Sequence, residues 1–244
     1  MSRIYVPDHI LGATARILTA LLPLFERTPG GIADPDGYAR YRRDIRALKS
    51  DTRAASRRAD LAAVLASIAA GYRSCSSDMR AVIAGLERVV VQSRAFQPVP
   101  GSTASSRQQA INEQALTMLF EGLALAEIAN AVSAMIPRSH DEAAQLRLRL
   151  GRTFDVAIER ASDQGATDIL RALRACQGRL VRDLIERGRP LARVVSYETA
   201  VPLPAVVLAH RLYQDAARAD ELRAENSATD HPAFMPMQGR AYSR

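Results

Sequence analysis

The sequence predicts a mainly α protein: a helical bundle with long coiled-coil-like helices over residues 1–189, then a small α+β module over residues 190–244. Three observations lead there. Apolar residues recur at three-and-four spacing in six successive segments. Capping residues, glycines or prolines bound these segments, and from Leu191 the pattern changes to β-branched runs and short helices. Finally, the 244 residues include five Phe, seven Tyr and no Trp, leaving the core to Ala, Leu, Ile and Val, which suits closely packed helices. The 48% hydrophobic and 24% charged content excludes wholesale disorder.

Ile10, Ile17, Leu18, Leu21 and Leu22 mark a first helix, which Pro23 and the Thr28-Pro29-Gly30-Gly31 turn bring to an end. Asp34-Pro35 caps a second, long helix carrying Tyr38, Tyr41, Ile45 and Leu48. Its stripe continues through Ala55, Ala59, Ala62 and Ala66 towards Gly71, and such small residues invite a partner helix from this chain or from another copy. Ser77-Asp78 caps a third helix with Val82, Ile83, Leu86, Val89 and Val90. Residues 96–106, with Pro98, Pro100 and Gly101, read as a linker between helical halves. Beyond it Ile111, Ala115, Met118, Gly122, Leu125, Ala129, Val132 and Ile136 form a seam, either an intramolecular core or a self-association surface, that stops at Pro137.

Ser139-His140-Asp141-Glu142 has capping-box spacing and starts a fifth helix, to about Ser162. A sixth carries Ile169, Leu173, Cys176, Leu180 and Leu184 and stops at Gly188 and Pro190. The module then opens on the β-forming run from Arg193 to Tyr197. Two short helices follow, Ala205 to Tyr213 and Arg218 to Glu225, and an extended tail from His231-Pro232.

The net charge is +7, and Lys49 is the only lysine against 32 arginines. Codon bias in a GC-rich genome produces that ratio, so charge alone identifies no partner. Cys75 and Cys176 lack metal-ligand or CxxC spacing, as expected in a reducing compartment. No apolar stretch approaches the ~20 residues of a membrane span, and no export signal is expected at the start.

Catalytic groups are not brought together by any motif. His9, His140, His210 and His231 are scattered, and neither a Ser-His-Asp order, a phosphate loop nor a Glu-x-x-His pair occurs. The expectation is no enzyme, no cofactor and no metal. Arg42, Arg46, Lys49, Arg53 and Arg57 step by four and three along the second helix, a basic stripe that could meet phosphates or simply face solvent or a subunit. This carries the alternative function, a basic helical protein that binds nucleic acid; the absence of interleaved aromatics disfavours single strands.

The run from Tyr197 through Leu203, Leu208, His210-Arg211-Leu212-Tyr213, Asp215-Ala216, Arg218 and Leu222, closing with Asn226 and His231-Pro232-Ala233-Phe234, resembles the C-terminal part of the DNA circularisation protein family of Mu-like tailed phages. The motif covers some 45 residues, and the remainder matches in helical, Ala/Arg-rich composition. The N-terminal β-rich domain usual in that family has no counterpart here, where helical patterning begins at once. The resemblance implies a non-enzymatic structural protein of the virion tail and baseplate, made in the bacterial host cytoplasm. It would contact tail tube, hub or wedge proteins, and the alanine-lined stretch from Ala55 to Ala69, buried against another copy, would make it a homo-oligomer in the tail. The same segment is similar to a degenerate LysM module, with Leu222, Asn226, Pro232 and Gly239 at matching positions, although Ala200-Val201-Pro202 replaces the usual glycine-aspartate-serine/threonine entry. This favours docking to proteins over glycans. The expected contact surface is the tail, through His231, Pro232, Phe234, Met235, Pro236 and Met237, while Leu208, Leu212 and Leu222 form the module's core and Asn226 fixes the turn after it.

Overall fold

A computed structural model describes residues 7–26, 30–50, 61–98, 101–226 and 234–243. Its elements are helices α1 (Asp8–Leu21), α2 (Pro35–Ser50), α3 (Leu61–Ser74), α4 (Met79–Ala95), α5 (Ala104–Ala134), α6 (His140–Asp163) and α7 (Thr167–Gly188). Then come strand β1 (Val194–Glu198), strand β2 (Leu203–Pro204), helices α8 (Ala205–Tyr213) and α9 (Ala219–Glu225), and strands β3 (Phe234–Met235) and β4 (Gln238–Tyr242). The fold is mainly α with a small α+β module at the C-terminal end. It divides into two compact units, Met1–Ile136 with Arg152–Leu180, and Pro137–Gly151 with Val181–Arg244, so α6 and α7 each supply residues to both.

In the first unit α5 is the central helix, packed against α1, α3 and α4. Being covered on several sides, it does not bury the single seam expected of it. Ile111, Ala115 and Ile136 are exposed, whereas Thr117, Phe120, Ala124, Leu125, Ile128, Ala131 and Val132 are buried, and two carboxylates, Glu113 and Glu121, join them. Own-chain helices cover the buried face, which makes it an intramolecular core. Because α4 and α5 pack on one another, the segment around 96–106 joins a helical hairpin instead of separating two halves.

The expected long second helix is also corrected. Residues 35–50 and 61–74 form separate helices in mutual contact. The Ala33 N–H donates to the Cys75 carbonyl and the Ser77 N–H to the Gly31 carbonyl, at 2.8 and 3.0 Å, so the start of α2 lies beside the end of α3. Gly30, at φ +71°, leads into this pairing where a Cβ would stand 2.6 Å from that of Asp78. The buried face of α3 is Leu65, Ile68, Ala69 and Tyr72, not its alanine stripe: Ala62 is exposed, while Ala55 and Ala59 lie outside the described residues. Helices of the same chain therefore cover α3.

Caps are legible locally. The Asp78 carboxylate accepts from the N–H groups of Arg80 and Ala81, and Thr103 with Ser106 forms a reciprocal capping box. At α6 the Ser139 hydroxyl accepts from the Glu142 N–H at 3.0 Å, but the Glu142 carboxylate accepts from Arg138, one residue earlier than the motif implies.

Two segments, Asp8–Phe25 and Ala104–Ala134, are long and apolar enough to cross a membrane, contrary to the expectation that none approaches that length. In this fold α1 and α5 pack against each other, and α5 carries charged groups engaged by neighbouring helices.

In the second unit β1 pairs antiparallel with β4, Val194 opposite Tyr242 through Glu198 opposite Gln238, and β2 pairs antiparallel with β3. The unit takes in the start of α6, a different division from one at residue 190. The reason lies in backbone bonding: the His140 N–H donates to the Ala192 carbonyl at 3.0 Å, and the Asp141 carboxylate accepts from the Val194 N–H at 2.6 Å. The expected extended tail is instead structural from Phe234 onward, because its N–H and C=O groups complete both sheets.

Candidate functional site

Residues quoted for the resemblance supply most of the module's core, and Met235 and Ala241 beyond them complete it. Tyr197, Leu208, Ala209, Tyr213, Leu222, Met235 and Ala241 form its core, with Leu212 partly buried against it. Tyr213 accepts from the Tyr242 N–H at 3.0 Å, and the Arg218 guanidinium lies 3.9 Å from the Tyr213 ring centroid while pairing with Glu221. Asn226 does more than fix the next turn. Its amide nitrogen donates to the Leu222 carbonyl at 2.8 Å and to the Arg240 carbonyl at 2.7 Å, and its oxygen accepts from the Arg240 N–H at 2.8 Å. One side chain thus ends α9 and holds β4. Gly239 permits this closeness: a Cβ there would stand 2.5 Å from both the Asn226 Oδ1 and the Tyr197 hydroxyl.

Of the expected contact residues, His231 and Pro232 lie outside the described residues. Phe234 is 45% and Met237 49% exposed, and Pro236 is half-buried. Met235 is corrected: at 3% exposure it belongs to the module core, because the alternation of strand β3 turns it inward opposite Leu203 while Phe234 faces out. Thr199 adds Val201 to this surface. Its N–H donates to the Met237 carbonyl at 2.7 Å and its hydroxyl to the Val201 carbonyl at 3.0 Å, which keeps exposed Val201 beside Met237. The strand-loop segments thus present Val201, Phe234 and Met237 as apolar groups on a firm scaffold.

The basic stripe is only partly a free surface. Arg42 donates to the Glu26 carbonyl at 2.8 Å and Lys49 pairs with the Glu26 carboxylate at 2.6 Å; Arg46 is exposed, and Arg53 and Arg57 lie outside the described residues.

Sequence periodicity misses the buried charges of α5. The Glu113 carboxylate, fully buried, accepts from Arg16 at 2.9 Å; Glu121 accepts from Arg94 and Arg160, both at 2.6 Å; Glu127 pairs with Arg73 at 2.7 Å. Glu113 and Glu121 stand eight residues apart, about 12 Å along the axis, so they do not converge as a catalytic carboxylate pair would. Three isolated glutamates in an otherwise apolar and neutral stretch of α5 are the available signal, but nothing local names the arginines that answer them.

Among the described residues no group of three His, Cys, Asp or Glu could hold a metal ion. Cys75 and Cys176 are free, and burial pushes both thiols above their ordinary range. No family model and no curated protein matches the chain.

Proposed function

We propose that this protein is a non-enzymatic structural component of a phage or phage-like tail, at the junction of tail tube and baseplate hub, acting through protein-protein contacts. The observation that carries this reading is the motif from Tyr197 to Phe234 and its resemblance to the DNA circularisation proteins of Mu-like phages. The geometry supports a docking role. The motif's leucines, tyrosines and Asn226 are spent on holding a strand-helix-helix-strand unit together, an order that a degenerate LysM module would have. Val201, Phe234 and Met237 are among the exposed apolar groups of the module, beside Val195, Val206 and Val207, and are the ones offered to a neighbour in this reading.

Mass spectrometry of purified particles tests the proposal. The protein is expected in the particles, in more than one copy per tail and as a homo-oligomer, and Phe234→Ser with Met237→Ser is expected to remove it while leaving the free protein folded. Absence of the unsubstituted protein from particles overturns the reading.

A further inference from the structure

The first unit holds a cavity of about 630 Å³ between the end of α4, the first half of α5 and α6, within the size range of ligand sites. Its charge is unbalanced. Arg94 and Arg160 both spend themselves on the single carboxylate of Glu121, and Arg107, on the cavity's border, makes no ion pair among the described residues. Three guanidinium groups thus line the cavity, and only two of them, Arg94 and Arg160, share a carboxylate. The remaining wall is mixed: the Phe96 ring, with the Arg16 guanidinium 5.4 Å from its centroid, and Ile111, 57% exposed on a helix that buries most of its large side chains. Gln114 adds an amide one turn further along.

We propose that this cavity binds a partner protein through a peptide segment in which acidic side chains alternate with apolar ones. Charge complementarity names the acidic groups, because Arg107 has no counter-ion among the described residues and Arg94 and Arg160 share a single carboxylate. Phe96 and Ile111 name the apolar ones, since a water-exposed isoleucine and ring flanking arginines gain from apolar cover. The residues of α5 that line the site run from Arg107 to Thr117, about 15 Å along the axis, and the arginines come from three helices without converging on one point. That spread suits an extended segment better than a compact phosphate. The inference is independent of the tail reading, which rests on the other unit.

The test is a titration of the full chain with a capped hexapeptide of alternating aspartate and phenylalanine, followed by fluorescence anisotropy of a label on the peptide. Controls are the same peptide with asparagine for aspartate, inorganic phosphate as competitor, and the variant Arg107→Gln with Ile111→Ser. Both substituted residues are exposed, so helical content should be unchanged. Saturable binding of the acidic peptide, weakened about tenfold or more both by the variant and by the asparagine exchange, supports the proposal. Four results each overturn it: no saturable binding, equal binding by the asparagine peptide, equal binding by the variant, or displacement by phosphate at the peptide's own concentration.

Discussion

Replacing Glu121 with alanine would leave Arg94 and Arg160 of the first unit facing one another without a counter-charge. Removing one member of a buried charge cluster strands the others, so Glu121→Ala is expected to cost about 3 kcal/mol in urea unfolding. Arg160→Ala should cost about 1 kcal/mol, because that side chain is partly solvated and Arg94 still serves the carboxylate. In the module, Asn226→Ala loses three hydrogen bonds and should destabilise by about 2 kcal/mol, with the Arg240 amide exchanging faster in hydrogen exchange. Legibility at this scale follows the range of each interaction. The turn-fixing role of Asn226 is readable because such side chains bond local backbone, whereas its partner Arg240 lies on a strand fourteen residues on. Met235 reads as an exposed tail residue only until β3 is paired, when strand alternation sends it inward.

Caps at Asp78 and Ser139, and the stops at Gly188 and Pro190, are legible among the elements because each depends on a few neighbouring residues. The α2–α3 pairing and the rotation of α5 are not, because they depend on which distant helix covers which face. Closure of the module by β3 and β4 has a direct consequence. Deleting residues 231–244 removes two strands and the core side chains Met235, Ala241 and Tyr242, so the truncated chain should lose the module's tertiary signal in near-ultraviolet circular dichroism while the remaining helices persist. Strand β4 also carries a pH dependence. Burial, then the hydrogen bond to Glu225, pushes the Tyr242 phenol up to about 12. The folded state therefore keeps a proton that the unfolded chain releases near 10. This contribution to stability is complete below pH 10 and is lost as the pH rises towards 12. Tyr242→Phe should flatten the fall in melting temperature across that window.

Taken as a whole, the chain is a basic, arginine-rich, mainly helical protein in two compact units, with a net charge of +7. A charge of that size gives weak polyanion affinity without a dedicated site. DNA binding should therefore be sequence-independent, fall steeply with salt, and change little on replacing Arg42 and Lys49, which are already engaged by Glu26; filter binding across a salt series checks this. The fold class is legible at this scale because periodicity and caps add up over many segments, while the docking role rests on a motif whose exposed residues emerge only after folding. A density map of the intact tail tip tests that role most directly. The module is expected to sit on a second tail protein, with Phe234 and Met237 buried at the contact; a tail tip without this chain, or with both side chains facing solvent, would overturn the docking role.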